Sequence, residues 1–103
     1  MNNVEMQNIL KKLDIHMEHP GNVLLEKYTK VGDTIEALAE RCTLPVNEVQ
    51  GIINGTINVT TFHAICLAKG TSTSSMVWSR IQNDIEARYY HEYHKKNCNG
   101  KDV

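Results

Sequence analysis

The sequence predicts an all-α fold: a domain of about five short helices with an N-terminal arm, two of the helices paired as a helix-turn-helix. Three observations carry this expectation. Apolar residues recur at spacings of three and four along most of the chain, no segment alternates with the period of a strand, and two short helical stretches near the middle lie only a few residues apart. The chain has 103 residues, 41% of them apolar, which suffices for one small core and one domain.

Met6, Ile9, Leu10, Leu13 and Met17 share one helical face. The pattern stops at His19-Pro20-Gly21, because proline disfavours helical geometry in the residue before it. Residues 1–18 are therefore expected to form an amphipathic arm that covers one edge of the core or holds a partner. From Asn22 a second stretch carries Val23, Leu24, Leu25, Tyr28 and Val31, with Gly32 placed to end it in a left-handed cap. Thr34 can cap the next helix, whose buried face is Ile35, Leu38, Ala39 and Cys42. Thr43 and Leu44 make a tight connection, and Pro45 suits the first turn of the helix that follows. That helix buries Val46 or Val49, Ile52 and Ile53 and stops at Asn54-Gly55, a pair that turns readily.

Thr60 or Thr61 can cap a further helix reaching about Lys69. It is apolar on two sides, Ala64, Leu67 and Ala68 on one and Phe62, Ile65 and Cys66 on the other, a pattern typical of central helices or subunit interfaces. After Gly70-Thr71-Ser72, Thr73 or Ser74 opens a longer helix with Trp78, Ile81, Ile85 and Tyr89 on one stripe. The domain is expected to span 19–96, leaving a polar tail over 97–103.

Charge and cysteines narrow the function classes. Eleven Lys and Arg against twelve Asp and Glu give a net charge of −1 and a pI near 6.5. Domains that coat nucleic acid by bulk electrostatics have pI values above about 9. Cys42, Cys66 and Cys98 are odd in number and form no Cys-x-x-Cys pair, which argues against a disulfide framework or zinc knuckle and for the cytoplasm. No run approaches the ~18 apolar residues of a membrane span, and the start lacks the features of a signal peptide.

The helix-turn-helix consists of Thr34 to Cys42 and Pro45 to Ile53. In such a motif the first helix props the second so that its N-terminal residues reach base edges in the major groove. The run His19-Pro20-Gly21-Asn22-Val23-Leu24-Leu25-Glu26, with Leu38-Ala39, Pro45, Ile52-Ile53-Asn54-Gly55, Val59-Thr60, Ala64, Leu67-Ala68, Thr73-Ser74, Trp78 and Gln82, resembles the HigA/VapI antitoxins of the Xre (Cro/C1-like) helix-turn-helix group. The resemblance covers about residues 19 to 85. It implies a five-helix lambda-repressor-like fold and a dimeric cytoplasmic antitoxin that binds operator DNA, represses its operon and neutralises an mRNA-cleaving toxin of the HigB/RelE type. The alternatives are an Xre-type regulator without a toxin and a protein-binding module whose DNA grip is weakened.

Carried onto this chain, the DNA-facing positions are Thr34, Val46, Asn47, Glu48, Gln50, Asn54 and Thr56. Asn47 and Gln50 bear amides that pair with adenine, Glu48 can accept from the cytosine amine, and Val46 can touch a thymine methyl. Affinity, by contrast, comes mostly from Lys and Arg on phosphates. Between residues 33 and 68 the ionised groups are Asp33, Glu36, Glu40, Arg41 and Glu48, a sum of −3. The chain also departs from its relatives in carrying Thr56-Ile57 after Asn-Gly, Ile35 where Gln is usual, and Thr43 where the turn often has Gly. Residues 69–103 hold six basic against four acidic groups, and helix N-termini at Thr34 and Val46 can bind phosphates through backbone N–H groups.

Competing sites are weak. His91, Glu92, His94 and Cys98 sit near a helix end without four converging donors, so no metal is expected. Nucleophilic catalysis needs a Cys or Ser beside a His and an orienting group. Cys66 lies three residues from His63, but in an apolar pattern that suits a small buried residue, so neither an enzyme nor a cofactor is expected. If the stripe Trp78, Ile81, Ile85 and Tyr89 is uncovered, it is the natural surface for a two-fold dimer, with help from the helix at Phe62 to Cys66.

Overall fold

The computed structural model describes residues 1–29 and 32–97, and the described residues form six helices. They are α1 (Asn3–Lys12), α2 (Pro20–Lys27), α3 (Ile35–Cys42), α4 (Val46–Asn54), α5 (Thr61–Thr71) and α6 (Ser75–Asn97). None is long and apolar enough to cross a membrane.

Local chemistry sets most boundaries. Asn2 and Glu5 form a reciprocal cap at the start of α1. Helix α1 then ends at Lys12, because Asp14 turns into the left-handed region at φ 63°. Leu13 and Met17, expected on the helical face, therefore lie beyond it, and Leu13 is exposed. Helix α2 starts earlier than its apolar pattern suggests: His19 is the N-cap, its ring Nδ1 accepting from the Gly21 N–H at 3.0 Å, and Pro20 takes the first helical position. Proline thus starts this helix and does not end the one before it, which has already stopped at Lys12. Helix α2 closes at Lys27 with Tyr28 as C-cap, so Gly32, though its φ is +87°, is not its cap; Val31 lies outside the described residues.

Thr34 caps α3 by accepting from the Ala37 N–H at 3.0 Å. Pro45 is the N-cap of α4 and Gly55, at φ 81°, its left-handed C-cap, so the recognition helix runs one residue later at each end than expected. Thr60 caps α5, which continues through Gly70 and Thr71 to a left-handed Ser72. The Ser74 hydroxyl accepts from the Met76 N–H at the head of α6.

Two apolar clusters hold the helices together. The main one joins Leu24 of α2, Leu38, Ala39 and Cys42 of α3, Val49 and Ile52 of α4, Ala64, Cys66 and Leu67 of α5, and Trp78 of α6. The Trp78 indole N–H donates to Thr73 Oγ1 at 2.9 Å, and the ring meets Tyr28 edge-on with centroids 5.4 Å apart. The second cluster is Met6 and Leu10 of α1 against Ile85 and Tyr89 of α6. Helix α1 thus packs along the later part of α6.

This packing corrects the expected dimer surface. Trp78 and Ile85 are 0% exposed, Tyr89 is buried, and Ile81 packs against the main core. The stripe is covered within the chain, its second half by the segment expected to be an arm.

Candidate nucleic-acid interface

Helices α3 and α4 pack against each other across Thr43 and Leu44, and both rest on the core through alternate faces. Helix α4 is fixed from behind by α2: a Cβ on Gly21 would collide with the Ile52 carbonyl oxygen, so only glycine allows this approach. Thr43 itself takes the left-handed conformation, φ 57°, that the turn requires. For a β-branched residue this is strained. The Lys69 ammonium donates to its hydroxyl at 3.0 Å.

Val46, Gln50 and Asn54 follow one another at intervals of four along α4, and all three are exposed, with Asn47 beside them. Gln50 Nε2 donates to Asn54 Oδ1 at 3.1 Å, which leaves the Gln50 carbonyl and the Asn54 amide nitrogen available outward. The other expected residues are engaged within the protein. Thr34 Oγ1 caps α3, the Thr56 hydroxyl donates to the Gly51 carbonyl at 3.3 Å, and Glu48 is half-buried and paired with His63. The structure therefore gathers Val46, Asn47, Gln50 and Asn54 into one exposed strip, flanks it with Glu48, and sets Thr34 and Thr56 in structural bonds.

The Glu48 partner is a feature that sequence reading missed. His63 Nε2 lies 3.0 Å from Glu48 Oε1, while Nδ1 accepts from the Thr60 N–H at 3.2 Å. Fifteen residues and a loop separate the two side chains, and only the capping position of His63, three after Thr60, gave any local hint of its engagement. With both ring nitrogens committed, His63 is not oriented toward Cys66 for nucleophilic chemistry.

Electrostatically, Arg41 is tied to Asp33 by two contacts of 3.3 and 3.1 Å. Arg41 also shares a shallow cleft with Lys27, Tyr28 and Thr71. Positive charge thus approaches the motif from Lys27 and Lys69, outside it in sequence. Burial pushes the Cys42 thiol up, which fits a packing residue and not a nucleophile. No group of three or more His, Cys, Asp or Glu able to hold a metal occurs among the described residues. Cys98, expected near His91 and His94, lies outside them.

No protein-family model matches the chain, and neither does any curated protein. Solved structures do. A hypothetical protein from E. coli is 26% identical, with a TM-score of 0.73 over 84% of this chain and 92% of that one. An addiction module antidote protein of the HigA family from Coxiella burnetii is 25% identical, with a TM-score of 0.74 over 84% of this chain and 95% of that one. The fold is that of a HigA-type antitoxin. The Pseudomonas aeruginosa antitoxin HigA, solved with the higBA promoter, agrees in fold at 21% identity, with a TM-score of 0.74 over 84% and 95% of the two chains. Two of these neighbours are HigA antitoxins by name, and the chain shares their all-helical fold, with α3 and α4 in the place of a helix-turn-helix.

Proposed function

We propose that this protein is a HigA-like antitoxin that binds operator double-stranded DNA as a homodimer through α3 and α4, represses its own operon, and neutralises an mRNA-cleaving toxin of the HigB/RelE type in the cytoplasm. The observation that carries this reading is the strip Val46, Asn47, Gln50 and Asn54, exposed on a helix that buries Val49, Gly51 and Ile52 in the protein. These side chains offer the amide and apolar contacts that read base edges. The Pseudomonas HigA of the same fold, solved with its promoter, lends support to this use of the helix.

Dimerisation, in this reading, uses α5. Phe62 and Ile65 are 62% and 56% exposed, large apolar side chains on the side of the helix turned away from Ala64 and Leu67. Two copies related by a two-fold axis bury such a surface and present two recognition helices to successive half-sites.

A mobility shift on the promoter of the protein's own operon tests the proposal. A sequence-specific shift, strengthened or altered by the co-expressed toxin, is expected. Absence of any specific shift at low salt, with toxin or without, rejects the DNA-binding role and favours the protein-binding alternative.

A further inference from the structure

We propose that His63 is a positioning residue for base recognition: it holds the Glu48 carboxylate so that one oxygen is occupied and the other is presented to the exocyclic amine of a cytosine. This deepens, and rests on, the operator-binding reading of α4.

The hydrogen-bond arrangement fixes the direction of each bond. A backbone N–H can only donate, so the 3.2 Å contact from the Thr60 N–H makes His63 Nδ1 an acceptor. The neutral ring then carries its proton on Nε2, which donates to Glu48 Oε1 at 3.0 Å. The Thr60 hydroxyl accepts from the His63 N–H at 3.2 Å and lies 3.1 Å from Nδ1, so the cap of α5 and the ring orientation are one unit. His63 is buried, whereas the Glu48 side chain is 36% exposed. The fixed end of the pair lies inside the protein, and the part-exposed end lies on the first turn of α4.

An unanchored glutamate in that turn would sample several rotamers and lose their entropy on meeting a base. Holding one carboxylate oxygen removes part of that loss in advance. The second oxygen keeps its lone pairs, and among groove-edge donors the cytosine N4 amine is the partner for a carboxylate. A fixed acceptor also discriminates against bases that present only acceptors there, since it has no proton to offer them.

The test uses the full chain, its operator, and operators with single base-pair changes, in competitive mobility shifts. His63→Leu is expected to lose about tenfold discrimination at one cytosine-containing pair, the low end for one good base contact, with affinity for the operators changed at that pair little altered. His63→Gln carries an amide donor and is expected to restore most of that preference. Glu48→Gln should lose the same preference, and the double variant should lose no more than either single one. The ring nitrogen chemical shifts of His63, read by NMR without DNA, should report the Nε2-protonated tautomer and move in Glu48→Gln.

A uniform loss of affinity over all operators in His63→Leu would overturn the proposal, as would failure of a stably folded His63→Gln to restore the preference. If His63→Leu does not fold, Glu48→Gln decides: an unchanged base preference in that variant overturns it too. Should the parent protein ignore sequence altogether, the operator-binding reading falls and this one with it, and the parent's binding curves alone identify that case.

Discussion

Asn3 and Gln82, 79 residues apart, exchange two hydrogen bonds in the interior: Asn3 Nδ2 donates to Gln82 Oε1 at 2.8 Å, and Gln82 Nε2 donates back to Asn3 Oδ1 at 2.7 Å. Gln82 Oε1 also accepts from the Val59 N–H at 2.8 Å, and its amide nitrogen reaches Glu86 at 2.7 Å. One glutamine thereby joins α1, the loop before α5, and α6. Gln82→Leu leaves the Val59 N–H and the Asn3 amide without partners. Each such buried group costs about 1–3 kcal/mol, so urea unfolding should show a loss at or above the upper end of that range.

Thr43→Gly is expected to stabilise the protein. Thr43 sits at φ 57°, where glycine meets no steric cost. Relief of about 1 kcal/mol outweighs the exposed bond from Lys69. Differential scanning calorimetry should record a melting temperature higher by about 4–8 °C.

Glycines 21 and 32 should respond differently to alanine. At Gly21 the new methyl group would strike the backbone oxygens of Ile52 and Ile53, neither of which can step aside. Overpacking of this kind costs about 3 kcal/mol. At Gly32 nothing lies within 4 Å, and only the positive φ opposes the change, at about 1–2 kcal/mol. Chemical denaturation of the two variants side by side gives the comparison.

Burial holds the His19 pKa below its ordinary 6.5. The unfolded chain therefore takes up a proton at a pH where the folded one does not, and stability rises with pH across that window. The contribution is complete above 6.5 and is lost as pH falls from there through the depressed folded value. Protonation also places a hydrogen on Nδ1, the atom that accepts from the Gly21 N–H. His19→Asn keeps a capping acceptor but has no proton to gain, so its unfolding free energy should be flatter below pH 6.5 than the parent's.

Gln50→Ala removes an exposed amide and releases Asn54 from its 3.1 Å bond. In operator binding it is expected to cost roughly 1–3 kcal/mol and to relax preference at one base pair. Titrations against single-base operator variants separate this from a loss shared by all sequences.

Caps and turns were legible in the sequence because they are built from neighbours. Thr34, Thr60 and Gly55 act within a few residues of themselves, and each stands where its chemistry predicts. The apolar face of α6 was equally legible, but what covers it was not. Nothing in the spacing of Trp78, Ile81, Ile85 and Tyr89 tells whether Met6 and Leu10 or a second copy lies against them. His19-Pro20-Gly21 reads as a stop from the periodicity upstream and as a start from the cap it forms, and the ring nitrogen of His19 decides in favour of the start. In the candidate interface, exposure at Val46, Asn47 and Gln50 follows from helical spacing, whereas the capture of Glu48 by His63 depends on how α5 returns to α4.

The anchoring of α1 sets an order of events during synthesis. Its partners, Gly55 for the Val4 N–H and then Gln82, Ile85 and Tyr89, are all translated later, and most belong to the last helix. At ribosomal rates, on the order of 10 s pass between the emergence of Asn3 and that of Gln82. Throughout that interval Met6 and Leu10 have only near neighbours such as Ile15 and Met17 against them, and not the Ile85 and Tyr89 side chains that complete their burial. Helix α1 is thus seated only after α6 has been made, and until then part of its apolar face waits for its cover.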